Sequence, residues 1–226
     1  MMKKKNKFLN EKLSIRSMIL LFVAAALFII SIQFPWWRMD FFAPQYPEGL
    51  DIIVYPDKLT GDIDIVNNLN HYIGMKEFST ESFPELAYLP YIAYAFAGLT
   101  VIVALLRKKL YLYILTALLA IGGIVGLVDM HFWLKKYGTE LDPNAAMYLD
   151  PFVPPILGEH TIANFTTYSK FGIGGYLLGV VFFIFVLCLW LDRTKKDRVK
   201  AKQGKKEQVE KKERVNGTRM EKEQFI

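Results

Sequence analysis

Hydrophobic positions along this chain gather into four long runs, residues 17–34, 86–106, 110–128 and 173–191, and none of them contains Asp, Glu, Lys, Arg or His. Each run is about as long as a helix must be to cross the roughly 30 Å hydrocarbon layer of a bilayer, where a helix satisfies its own backbone polar groups. Between the runs lie a tight turn, 107–109, and two long segments, 35–85 and 129–172. Those segments total about 95 residues, too many and too apolar for plain connectors, and predict a small ordered cap. In the first, residues 51–55 and 62–66 are β-branched runs joined by Pro56-Asp57-Lys58-Leu59-Thr60-Gly61, the pattern of a hairpin. Ser79 or Thr80 is placed to cap the helix that becomes the second run, with Pro84 in its first turn. In the second segment, Asp142-Pro143 reads as an N-cap before a short helix through Met147, and 150–158 is Pro-rich and extended. The expected fold class is an all-α membrane protein: four transmembrane helices beneath a small extracytoplasmic cap containing a β-hairpin and short helices.

Charge orients this frame. Residues 1–16 hold six basic residues and one acidic, the turn 107–109 is Arg-Lys-Lys, and the tail 192–226 holds 13 basic and seven acidic residues. Segment 35–85 has three basic and nine acidic residues, and 129–172 has three and five. Lys and Arg accumulate on the cytoplasmic side, so both termini are expected inside and both long segments outside a multi-pass cytoplasmic (inner) membrane protein. Trp36 and Trp37 suit the outer interface and Trp190 the inner one. The net charge of +6 is then a basic inner face over an acidic outer one, which speaks for membrane lipid and against nucleic acid as a partner. Gln33-Phe34-Pro35-Trp36-Trp37 is too bulky for a signal-peptide cleavage site, so the first run is expected to stay as a span. The single cysteine, Cys188, falls inside the fourth run, so no disulfide holds the outer segments. Gly122, Gly123 and Gly126 in the third run, and Gly172, Gly174, Gly175 and Gly179 around the fourth, predict close helix approach, Gly175 and Gly179 at small-xxx-small spacing.

Candidate chemistry is sparse. The chain has no Gly-rich phosphate loop, no G-x-S-x-G and no H-E-x-x-H, and charge-free spans offer no proton relay, so a non-enzymatic role is expected. All three histidines, His71, His131 and His160, fall in the outer segments, with Met39, Met75, Met130 and Met147 in or beside them. Imidazole with thioether suits copper, above all Cu(I), better than zinc, calcium or magnesium. His71 and Met75 would share a face if their stretch is helical, and Asp129 beside His131 could accept a hydrogen bond from a ligating imidazole. Against this, three histidines in segments of this length need no metal to explain them. Asp62 and Asp64 would share one strand face, as an acidic pair or a solvated edge. Tyr88, Tyr91, Tyr94 and Phe96 could line a quinone site or simply pack between helices.

Two phrases, Ala43-Pro44-Gln45-Tyr46-Pro47-Glu48-Gly49-Leu50 and Leu69-Asn70-His71-Tyr72-Ile73-Gly74-Met75, resemble the NosB-like small membrane proteins of bacterial nitrous-oxide reductase gene clusters. Tyr137-Gly138 and Leu141-Asp142-Pro143-Asn144-Ala145-Ala146 look similar too, and the resemblance covers roughly residues 15–192. It implies an accessory role beside a copper-dependent reductase, in maturation, copper handling or assembly, with the reductase or its maturation proteins as partners on the outer face. The alternative it leaves is a membrane anchor or an electron-transfer, quinone-interacting subunit. Copper is the metal implied, carried over to His71 and Met75, with His131 as a further candidate. The same phrases also read as the folding code of the cap: the prolines stiffen the chain, and Gly49 and Gly74 permit turns. The orientation is directly testable: a reactive Cys at Lys58 should label from outside intact cells and one at Lys196 should not, and the reverse pattern contradicts it.

Overall fold

The computed structural model describes residues 11–162 and 165–193, Ile162 by its backbone only. Most of the basic N-terminal segment and nearly all of the basic tail lie outside the described residues. The fold is mixed α and β, which corrects the all-α expectation. Helices α1 (Ile15–Ser31), α3 (Leu89–Leu106), α4 (Lys109–Thr139) and α5 (Ile173–Leu191) form the helical part. A five-stranded antiparallel sheet, with α2 (Ile63–Ile73) packed on it, forms the rest. Its strands are β1 (Trp37–Ala43), β2 (Tyr46–Val54), β3 (Leu59–Gly61), β4 (Gly158–Ile162) and β5 (Phe165–Phe171), in the order β3-β2-β1-β5-β4.

Three helices, α3, α4 and α5, are long and apolar enough to cross a membrane by length and composition; the four expected spans are corrected to three, because α1 has 17 residues. The cause is local. Ser14 caps the start of α1 through the Ser17 N–H, and at the other end the Trp36 indole N–H takes the Ser31 carbonyl at 3.1 Å. Ile32, Gln33 and Phe34 close a tight turn before Pro35, so the apolar run outlasts the helix. α1 nonetheless packs along both α3 and α5. The contact is made by small residues, with Ser17, Ala24, Ala97, Thr100 and Ala104 all buried, which lets backbones approach closely. Phe28 fills the centre, its ring 5.7 Å from Phe96 and 6.3 Å from Phe185.

The glycines act elsewhere than between helices. A Cβ on Gly174 would lie 2.6 Å from the Ser31 carbonyl oxygen and one on Gly175 2.4 Å from that of Trp36, so the start of α5 is pressed against the turn that leads into β1. Around Gly122, Gly123, Gly126 and Gly179 the space is open.

At the end of the bundle away from the sheet, the chain before α1 ties three helix ends together. Leu13 N–H donates to the Arg107 carbonyl at 2.7 Å, and the Arg107 guanidinium returns two bonds to the Leu13 carbonyl at 3.1 and 2.7 Å. The buried Lys109 ammonium meets Glu11 at 2.8 Å, and Ser14 N–H reaches the Asp192 carboxylate at 3.2 Å. Arg107 adopts a left-handed backbone (φ 53°), which lets α3 reverse into α4 across two residues.

At the opposite end the sheet assembles. The hairpin predicted at Pro56–Gly61 exists, but its second arm is Leu59–Gly61. Residues 62–66 are not a strand: Asp62 stands at the head of α2 and Asp64 in its first turn, so the two do not share a strand face. Ile63, Val66 and Asn70 then recur at helical spacing, and the buried Val66 and Asn70 face the sheet side. β1 pairs on one edge with β2 and on the other with β5, joining segments far apart in the chain (Asp40 opposite Tyr168, 128 residues on). The short helix expected after Asp142 is instead a turn, Asp142 Oδ1 accepting the Asn144 N–H at 2.8 Å, and α4 itself runs on to Thr139. We expect Arg107→Ala to lower unfolding stability in detergent by about 1–3 kcal/mol, from the lost fork. Arg107→Gly loses the same fork but relieves the left-handed backbone that Arg and Ala both bear, and should lose less; equal losses would contradict the strain argument.

Candidate functional site

The site is the cap, and the backbone explains how the three recognisable phrases reach it. Pro44-Gln45 is the two-residue turn between β1 and β2, with Ala43 opposite Tyr46. Between Phe41–Leu50 and Ala43–Tyr46 the register shifts, so Pro47, Glu48 and Gly49 form a bulge where a proline's missing N–H is tolerated. Gly49 has φ +88°, and a Cβ there would lie 2.8 Å from the Phe42 ring.

The second phrase closes α2. Gly74 takes the left-handed conformation (φ +76°) and Met75 N–H bonds back to the Asn70 carbonyl at 2.9 Å, the hydrogen bonding of a Schellman cap. A Cβ on Gly74 would lie 2.8 Å from the backbone N and O of Asp142. There the third phrase is stitched on: Asp142 N–H donates to Gly74 O at 2.8 Å and Met147 N–H to Tyr72 O at 2.9 Å. Lys76 and Glu140 pair across the same seam. One turn back on α4, Tyr137 stacks on Phe78 (4.5 Å between centroids) and gives its hydroxyl to Glu77 O at 3.1 Å. Gly138 admits the chain after the seam, with Phe152 N–H bonded to its carbonyl at 2.9 Å and no room for a Cβ.

These phrases enclose an apolar cavity of about 70 Å3. Ala43 and Leu50 of the first phrase, Leu69 and Met75 of the second and Tyr137 of the third all line it, together with Met39. The sheet's other face is polar. Asp40, nearly buried there, is bonded by Lys170 and Arg38, and Arg38 also reaches Asp51 at 3.3 Å. Burial works to raise the Asp40 pKa, but the hydrogen bonds from Lys170 and Arg38 outweigh it and hold the carboxyl below its usual range.

The metal candidates are not gathered. His71 is exposed on the last turn of α2, whereas Met75 lies beyond Gly74 and faces the cavity, so the helix does not carry the two onto one face. His131 is exposed on α4, and His160 lies in β4, its ring 6.4 Å from that of Phe152. Among the described residues no group of three or more His, Cys, Asp or Glu side chains is placed to hold a metal ion. Sequence reasoning missed that Met39, not His71, shares Met75's surroundings. The alternation Trp37, Met39, Phe41, Ala43 carried that signal, masked by an aromatic pair that also suits a membrane interface. The chain matches no family model, no curated protein and no solved structure.

Because the Asp40 pKa is lowered on folding, its contribution to stability is present above the unfolded carboxyl pKa and fades as pH falls through the lower folded one. Lys170→Ala should raise the folded value and so shift the midpoint of acid unfolding upward; an unmoved midpoint would contradict the pairing. Gly74→Ala should cost at least about 1–2 kcal/mol from its left-handed backbone alone.

Proposed function

We propose that this chain is a non-enzymatic accessory protein of a copper-dependent nitrous-oxide reductase, acting through its cap in maturation, copper handling or assembly. It sits in the cytoplasmic membrane with both termini inside, and the cap faces the reductase or its maturation proteins. One observation carries the reading: phrases at 43–50, 69–75 and 137–146, distant in the chain, meet around one cavity and one hydrogen-bonded seam. A resemblance scattered over unrelated surfaces would argue only for a shared scaffold. Phrases that converge argue that the resembling residues serve one place. In this reading copper is handled on the cap's surface by His71, next to Tyr72 and its backbone partner Met147, while Met75 serves the interior. His131 keeps a separate exposed position.

A specific observation supports the alternative of a quinone-interacting or anchoring subunit. Tyr88, just before α3, and Tyr91 and Tyr94 on it are 66%, 72% and 48% exposed, so they do not pack between helices and are free to meet a lipid or quinone, whereas Phe96 does pack inward.

Deleting the gene in its own host respiring nitrous oxide separates the readings. Loss of gas consumption with copper-poor reductase is the expected result, and His71→Ala alone should lower the copper content of the enzyme. Loss with fully loaded reductase would favour anchoring or electron supply. Unchanged consumption would contradict both.

A further inference from the structure

We propose that the cap cavity binds the end of a single hydrocarbon chain drawn from the membrane leaflet on the cap's side. The inference rests on the cavity and on α4 as a membrane span, and holds whether or not the protein serves a reductase.

The chemistry of the lining excludes polar ligands. No Asp, Glu, Lys, Arg or His lines the cavity. Its polar side chains bond to the protein's own backbone: the Tyr137 hydroxyl to Glu77 O at 3.1 Å, Thr167 Oγ1 to His160 O at 3.1 Å and the Asn70 amide to Lys76 O at 3.5 Å. A charged or hydrogen-bonding ligand would be stripped of water there without compensation. The walls come from β1, β2, α2, α4, β5 and the chain around Phe152, while the volume is only about 70 Å3. So small a space admits the end of a chain rather than a whole lipid or a fused ring system. Met39 and Met75 supply flexible, unbranched walls that repack around a guest.

An apolar face of α4 also leads from the bilayer side to the cavity wall. Gly123, Leu127, Met130, Leu134 and Tyr137 follow one another by four, three, four and three residues, so they share one face of α4. The upper two line the cavity. The lower part is uncovered: Gly123 has nothing within 4 Å of a Cβ position and Leu127 is 42% exposed. Leu134 stands about 9 Å along the helix from Val128, within reach of a chain whose head stays at the interface.

The test uses the full chain in lipid nanodiscs with palmitic acid carrying a diazirine at its terminal carbon, and in a parallel arm an isoprenoid alcohol carrying the same group. After illumination, labelled peptides are mapped. Labelling around Met39, Leu69 or Met75 is expected, and the arm that gives it identifies an acyl or an isoprenoid chain. Ala43→Leu and Val66→Leu, which fill the cavity, should lower cap labelling by roughly tenfold or more and leave helix labelling unchanged. Leu69→Ala, which enlarges it, should retain or raise cap labelling. If only the lipid-facing helices are labelled in both arms, or if filling and enlarging variants behave alike, the proposal is overturned and the cavity is a packing void.

Discussion

The pairing of β1 with β5 is the contact on which the sheet end of the molecule depends. β1 follows α1 and β5 leads into α5, so the sheet-side ends of two adjacent helices continue into two neighbouring strands. Each of the two long segments then adds strands on its own side, β2 and β3 from one and β4 from the other. Had the strands not met, each segment would carry unpaired backbone groups and no shared core. The pairing itself rests on close approach at the helix ends, where Gly172 N–H bonds Trp36 O at 3.0 Å and Gly174 N–H bonds Pro35 O at 2.9 Å.

From that pairing follow the two faces of the sheet. Alternation along β1 sends Met39, Phe41 and Ala43 toward α2 and α4, and Arg38 and Asp40 to the other side. The apolar face needs a cover wider than α2 alone, and α4 provides it. At 31 residues α4 is about 46 Å long, well beyond a 30 Å hydrocarbon layer, and its surplus carries Trp133, Leu134 and Tyr137 to the cap. Phe78, Phe83 and Tyr137 lie near-parallel and Trp133 meets Phe83 edge-on, one aromatic cluster that fixes the strut to the chain leading into α3. The seam from Tyr72 to Met147 closes the remaining side. The cavity is what these four constraints leave between them.

How much of this was legible in the sequence depends on the range of each interaction. α5 begins and ends where its apolar run does, and α3 nearly so, since burial in hydrocarbon is a property of the run itself. α1 falls short of its run because Ile32 and Phe34, though apolar, lie in the tight turn before Pro35. The outer extension of α4 was hidden because Asp129, His131, Lys135 and Lys136 end the apolarity without ending the helix. Residues 62–66 alternate as a strand would and also fit a helix, and only the Asp51–Asp62 contacts, with Asp51 N–H on Asp62 Oδ2 at 3.1 Å, decide for the helix start. The pairing of β1 with β5 carries no local signal because its partners lie far apart in the chain, Asp40 and Tyr168 by 128 residues. The His71–Met75 spacing misled for a similar reason: Gly74 turns the chain between them.

The central claim is that the second outer segment is stitched to the first and closes the cavity. Amide hydrogen exchange on the full chain in a lipid bilayer tests it most directly. The amides of Asp142, Met147 and Phe152, each bonded to a distant carbonyl, should exchange slowly and in step with those of β1 and β5. Fast exchange across 140–152, with the sheet still protected, would show an open segment and contradict the account.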